Sequence, residues 1–80
     1  MDREQILEHL TEAERQVAEG ERRLVRQRER IEQMASNGQE VRVARELLSQ
    51  SEHTHRLQIA DRDRLRELLA ACRTPDPPES

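Results

Sequence analysis

The chain contains no phenylalanine, tyrosine, tryptophan or lysine, and only one cysteine and two glycines in 80 residues. Each shortage excludes something. Without aromatics, a globular core of this length would be thin. Small scaffolds of that kind need disulfides, a metal or a second chain to be stable. The single cysteine, Cys72, rules out an internal disulfide, and sparse cysteine fits a reducing compartment. No apolar run approaches the ~20 residues that cross a bilayer. The opening "MDREQILEHL" is charged from its second residue and does not read as a secretory signal. The expectation is a cytoplasmic protein with no part in the membrane.

What remains is rich in Ala, Glu, Leu and Arg. Charged residues make up 39% of the chain, the formal net charge is -3, and all 14 positive side chains are arginine. That composition, combined with helical periodicity, marks a coiled coil or a long helix.

The periodicity is present twice. Ile6, Leu10, Ala13, Val17, Gly20, Leu24, Gln27, Ile31 and Met34 follow one another in alternating steps of four and three, the spacing of a heptad seam. Asp2 and Gln5 have the spacing of a capping box. Asn37 and Gly38 are residues that accept the left-handed conformation ending a helix. A second seam runs through Val41, Ala44, Leu48, Ser51, His55, Gln58, Arg62, Leu65, Leu69 and Cys72. The tail "TPDPPES" holds all three prolines and cannot continue a helix.

These signals predict an all-α fold: an antiparallel two-helix coiled-coil hairpin over residues 1–73. One helix spans 2–36, a turn 37–39 and a second helix 40–73, with 74–80 as a disordered tail. Folding about Asn37 and Gly38 pairs seam positions whose numbers sum to 75. Leu10 then meets Leu65, Gly20 meets His55, Val17 meets Gln58 and Gln27 meets Leu48. Large residues repeatedly face small ones, which is how interdigitated layers fill space.

A hairpin leaves apolar residues over. Val43, Leu47, Leu57, Leu68 and Ala71 form a second stripe on the second helix, and Leu7, Ala18 and Val25 are expected on a comparable flank of the first. The simplest burial is against a second copy, giving a dimeric four-helix bundle. Leu7, Val25, Val43, Leu47, Leu57 and Leu68 are therefore the candidate oligomer or partner interface. Another helical protein is the alternative occupant.

The hexapeptide "SEHTHR" holds two of the three histidines. His53 and His55 are two residues apart and point about 200° from each other on a helix. They do not make the i,i+3 or i,i+4 pair that a shared metal needs, and no metal or cofactor is expected. Packing explains His55 better. It faces Gly20, which has no side chain and leaves room for an imidazole. Gly20, Gln27, His55 and Gln58 thus form a polar centre of the seam that fixes register, as single polar seam residues do. Protonating His55 in a tight seam is unfavourable unless Glu21 or Glu52 lies near, so a loosening between about pH 5 and 7 is a secondary reading, ranked below register control.

The stretch "ERRLVRQRER" raises a nucleic-acid reading. Arg15, Arg22, Arg23, Arg26 and Arg30 share one outward wedge of helix one. Glu8, Glu12 and Glu19 share that wedge, the overall charge is negative, and no aromatic is available to stack on a base. A solvated, ion-paired face is the preferred reading, with nucleic-acid binding as the alternative. No catalytic set emerges. There is no glycine-rich phosphate loop, Cys72 has no base beside it in the register, and a two-helix hairpin has no pocket that excludes water.

The segments "HLTEAERQVAEGERRLVRQRERIEQM", "ARELL" and "ADRDRLRELL" resemble a group of small uncharacterised helical-hairpin proteins of alphaproteobacteria and related bacteria. The resemblance covers roughly residues 3 to 70. It implies a bacterial cytoplasmic protein and carries no active-site residue with it. The expected role is a protein–protein interaction module: a small self-associating scaffold or regulatory adaptor without catalytic activity. Nucleic-acid binding through the arginine stripe, and a histidine-based metal bundle, are the competing readings.

Overall fold

A computed structural model describes residues 2–73; the expected disordered tail at 74–80 lies outside the described residues. Two helices, α1 (Arg3–Ser36) and α2 (Arg42–Arg73), pack against each other as a helical hairpin. At ~1.5 Å per residue, each is roughly 50 Å long. No strand occurs among the described residues. Among the described residues, no helix is long and apolar enough to cross a membrane.

Local chemistry sets the ends of α1. The Gln5 amide donates to Asp2 Oδ1 at 2.8 Å, and the Asp2 amide donates to Gln5 Oε1 at 3.1 Å. This reciprocal capping box satisfies two amides that lack helical partners. At the other end Gly38 takes a φ of 75°. The Gly38 amide donates to the Ala35 carbonyl at 3.0 Å, and the Gln39 amide to the Met34 carbonyl at 2.9 Å. These two bonds form a Schellman motif, with glycine at the left-handed position where a Cβ would be strained.

The second helix begins two residues later than the expected residue 40. Val41 lies outside α2, but its carbonyl accepts the Arg45 amide at 2.8 Å, which makes it the N-cap. Valine has no side-chain acceptor. The Glu40 carboxylate serves instead and accepts the Arg42 amide at 3.1 Å. The chain needs residues 37–41 to reverse direction and set this substitute cap.

The seam packs in the expected register. Leu10, Ala13 and Leu65 form a buried cluster, with Leu69 against it. The buried apolar residues are Ile6, Leu10, Ala13, Val17, Leu24, Ile31 and Leu65. All but Leu65 belong to α1. The α2 seam is mostly half-buried, so α1 is better covered than α2 by the hairpin alone.

Candidate protein-interaction face

The polar centre of the seam is a built contact. Nε2 of His55 lies 3.0 Å from the carbonyl oxygen of Val17. A carbonyl can only accept, so this nitrogen carries the hydrogen and donates it. The ring lies against the bare Cα of Gly20: a Cβ there would meet His55 Cδ2 at 2.7 Å and Gln58 Oε1 at 3.1 Å. Gly20, His55 and Gln58 therefore come together as the register predicts. Gln27 is half-buried one heptad nearer the turn, and its Oε1 is buried without a hydrogen-bond partner.

The hairpin has two long edges, and ion pairs mark one of them. Arg28 reaches Glu52 at 3.2 Å, and Arg66 reaches Glu14 at 3.2 Å. Residues seven apart recur on the same edge of a coiled coil. Leu7 and Glu21 thus belong with Glu14 and Arg28, while Ile59 belongs with Glu52 and Arg66. Ala18 and Val25 lie further round α1 on the same side. Ile59, given no place in the heptad reading, is half-buried here.

The other edge is marked by an open groove of about 390 Å³ whose walls include Arg23, Leu47, Gln50 and Thr54. A smaller depression of about 240 Å³ brings Arg30 and Leu47 together. Leu68 and Asp61 recur with Leu47 and Thr54 at seven-residue spacing. Val43, Leu57 and Arg64 recur with Gln50 in the same way. Arg26 lies beside Arg23 and Arg30 on the α1 half of this face.

The six candidate interface residues are therefore divided. Leu7 and Val25 lie on the ion-paired face, whereas Val43, Leu47, Leu57 and Leu68 lie on the opposite, grooved face. No comparable flank joins the two groups, because the helices run antiparallel. Antiparallel packing brings each α1 position against its own heptad counterpart on α2, and Leu7 and Leu47 occupy different heptad positions. What α1 contributes to the leucine face is arginine. Val43, Leu47, Leu57 and Leu68 are 53%, 53%, 59% and 40% exposed. Sequence reasoning treated the arginine and leucine stripes separately; comparing their heptad phases would have joined them.

The acidic half of the α1 stripe is tied down. Arg15 bonds Glu12 and also Glu19, the latter at 2.6 Å. The hydrogen bond from Arg15 holds the Glu12 carboxyl below its ordinary value, with the positive charge and a bond from Gln16 adding to the effect. Hydrogen bonding and charge from Glu12, then Glu19, raise Arg15 in turn. Arg22, Arg23, Arg26 and Arg30 have no acidic partner among the described residues, so the ladder covers only the Arg15 end of the stripe.

No group of three or more His, Cys, Asp or Glu side chains converges among the described residues. Cys72 is exposed and free. No family model, no curated protein and no solved structure matches the chain.

Proposed function

We propose that this protein is a protein–protein interaction module, a small self-associating coiled-coil scaffold or regulatory adaptor without catalytic activity. The supporting observation is the exposed apolar line of Val43, Leu47, Leu57 and Leu68 along α2. Among the described side chains of this helix, Leu65 is the one the hairpin buries. A thin core beside an uncovered leucine line is the situation in which small helical proteins gain stability from a second chain. Absence of lysine, scarcity of cysteine and the bacterial resemblance support a bacterial cytoplasm as the setting.

The test is absolute mass in solution across a concentration series, by light scattering with refractive-index detection, since the chain lacks tryptophan and tyrosine. The expected result is a dimer at low micromolar concentration. Leu68→Asp then loses the dimer while keeping its helices, because it places an unpaired charge in an apolar contact. A native monomer, or a Leu68→Asp chain that dimerises equally well, overturns the reading.

The unpaired Arg22, Arg23, Arg26 and Arg30 favour a second reading, in which nucleic-acid phosphates are the ligand. It predicts binding that falls steeply with salt and is lost in an Arg22, Arg26 and Arg30 triple substitution. The formal charge of -3 weighs against it.

A further inference from the structure

The grooved face is charge-polarised along its length. In the half near the turn, α1 contributes Arg23, Arg26 and Arg30, and α2 contributes Val43, Leu47, Gln50, Thr54 and Leu57, with no acid between them. In the half near the termini, α1 contributes Glu12 and Glu19, which together outnumber the Arg15 that bridges them. The α2 partner there is Asp61, paired with Arg64 at 2.6 Å. One end of the face is basic and the other acidic, while the leucines are confined to α2.

Resting on the self-association reading, we propose that two copies pack face to face and antiparallel through this surface. A two-fold axis crosses the rod and passes α2 between Thr54 and Leu57. The physical reason is how each possible axis pairs the surfaces. A two-fold running along the rod stacks α1 of one copy on α2 of the other. It gathers both arginine rows at one end and lays them over leucines. A two-fold across the rod stacks α2 on α2 and α1 on α1. The leucine-bearing stripe of one copy then covers that of the other, and the basic end of each copy meets the acidic end of the other. Such an isologous contact is self-complementary and closes at two chains.

The heptad phases fit this axis. Seam residues in antiparallel helices pair at a constant sum, and the α2 stripe pairs at 111. Val43 then meets Leu68 of the second copy. Leu57 meets Thr54 of the second copy and enters the groove beside it. Leu57 is the most exposed large apolar side chain, at 59%. On α1 the same axis pairs positions that sum to 39, which puts Arg26 one residue from the level of Glu12 of the second copy, and Arg23 and Arg30 within one helical turn of its Glu19 and Glu12. Arrays of this kind set orientation and partner choice more than affinity.

Two experiments test the geometry. The first measures spin-label distances in chains carrying Cys72→Ser, with either Arg42→Cys or Arg56→Cys on the opposite face. The proposed axis separates the two Arg42→Cys labels by roughly 40 Å along the rod and offsets the Arg56→Cys labels by only a few Å, at ~1.5 Å per residue. Similar distances at both positions would mean an axis along the rod and overturn this geometry, leaving self-association intact. No dipolar signal at either position would mean a monomer and overturn both readings.

The second is a charge swap. Arg23→Glu with Arg30→Glu in one chain, and Glu12→Arg, Arg15→Glu and Glu19→Arg in another, should each weaken self-association about tenfold. The triple change reverses the α1 ladder rather than breaking it, so the hairpin persists; circular dichroism checks this. An equimolar mixture should restore native-like association as a heterodimer, because both ends of the face are then complementary. Failure to restore it, with both chains helical, overturns the charge pairing. A chain that instead stays monomeric and binds duplex DNA or RNA through Arg23 and Arg30 also overturns the proposal.

Discussion

The ring of His55 occupies the space that a side chain at Gly20 would fill, 2.7 Å from where its Cβ would stand. The glycine is therefore a seat for the imidazole. Glycine costs about 1 kcal/mol of helix propensity relative to alanine, and here that cost offsets a close helix–helix approach. Shifting the register by one heptad would place His55 against Ala13 or Gln27 and break its bond to the Val17 carbonyl.

A double-mutant cycle tests this relationship. In a His55→Ala background, Gly20→Ala should stabilise the hairpin by about 1 kcal/mol, as helix propensity alone predicts. With His55 present the new methyl displaces the ring and its hydrogen bond, so that gain should vanish or reverse. The coupling energy should be about 1 kcal/mol or more. Denaturant unfolding followed by circular dichroism at one protein concentration measures it. Equal effects in both backgrounds would show that the two residues do not meet.

Gln27 offers room for improvement. Its Oε1 is buried with no donor, and such an atom costs about 1–3 kcal/mol. Methionine has nearly the same volume and no such atom. Gln27→Met is expected to stabilise the hairpin by about 1–2 kcal/mol, seen as a higher denaturation midpoint at an unchanged slope. A loss of stability would show that the amide serves the seam.

The turn depends on one backbone angle. Gly38 has φ 75° and open space where a Cβ would go, so substitution there tests torsional strain and not contact. Gly38→Ala should destabilise by about 1 kcal/mol, and Gly38→Asn by less, since asparagine tolerates the left-handed region better. Equal stability of all three chains would remove the Schellman turn as a determinant of the hairpin.

The Glu12–Arg15–Glu19 ladder carries a pH signature. Arg15 holds the folded Glu12 carboxyl below the 4.5 of an unperturbed glutamate. The folded state therefore binds this proton less readily than the unfolded state. Its small contribution is present above about pH 4.5 and fades as pH falls through the lowered folded value. Carboxyl titration by NMR should find Glu12 rising toward the ordinary value in Arg15→Gln. An unmoved titration would show that the exposed pair is not formed in solution.

The chain order of its residues settled much of this protein in advance. Asp2 and Gln5 capped the first helix, Gly38 ended it, and two heptad series met in one register with Leu10 on Leu65 and Gly20 on His55. These features are local or strictly periodic, and a period of seven leaves only one face for each seam. The late start of α2 was less legible, because its cap is an improvised one, from Glu40 across Val41.

Tertiary structure alone decided which flanks lie together. Leu7 and Val25 looked like companions of Leu47 as long as each helix was viewed by itself. The antiparallel hairpin brings the edge holding Glu14 and Arg28 against the one holding Glu52 and Arg66, and leaves Arg23 and Arg30 beside Leu47. A helix fixes which of its own residues share a face. Only the direction of its neighbour fixes which residues of two helices share one.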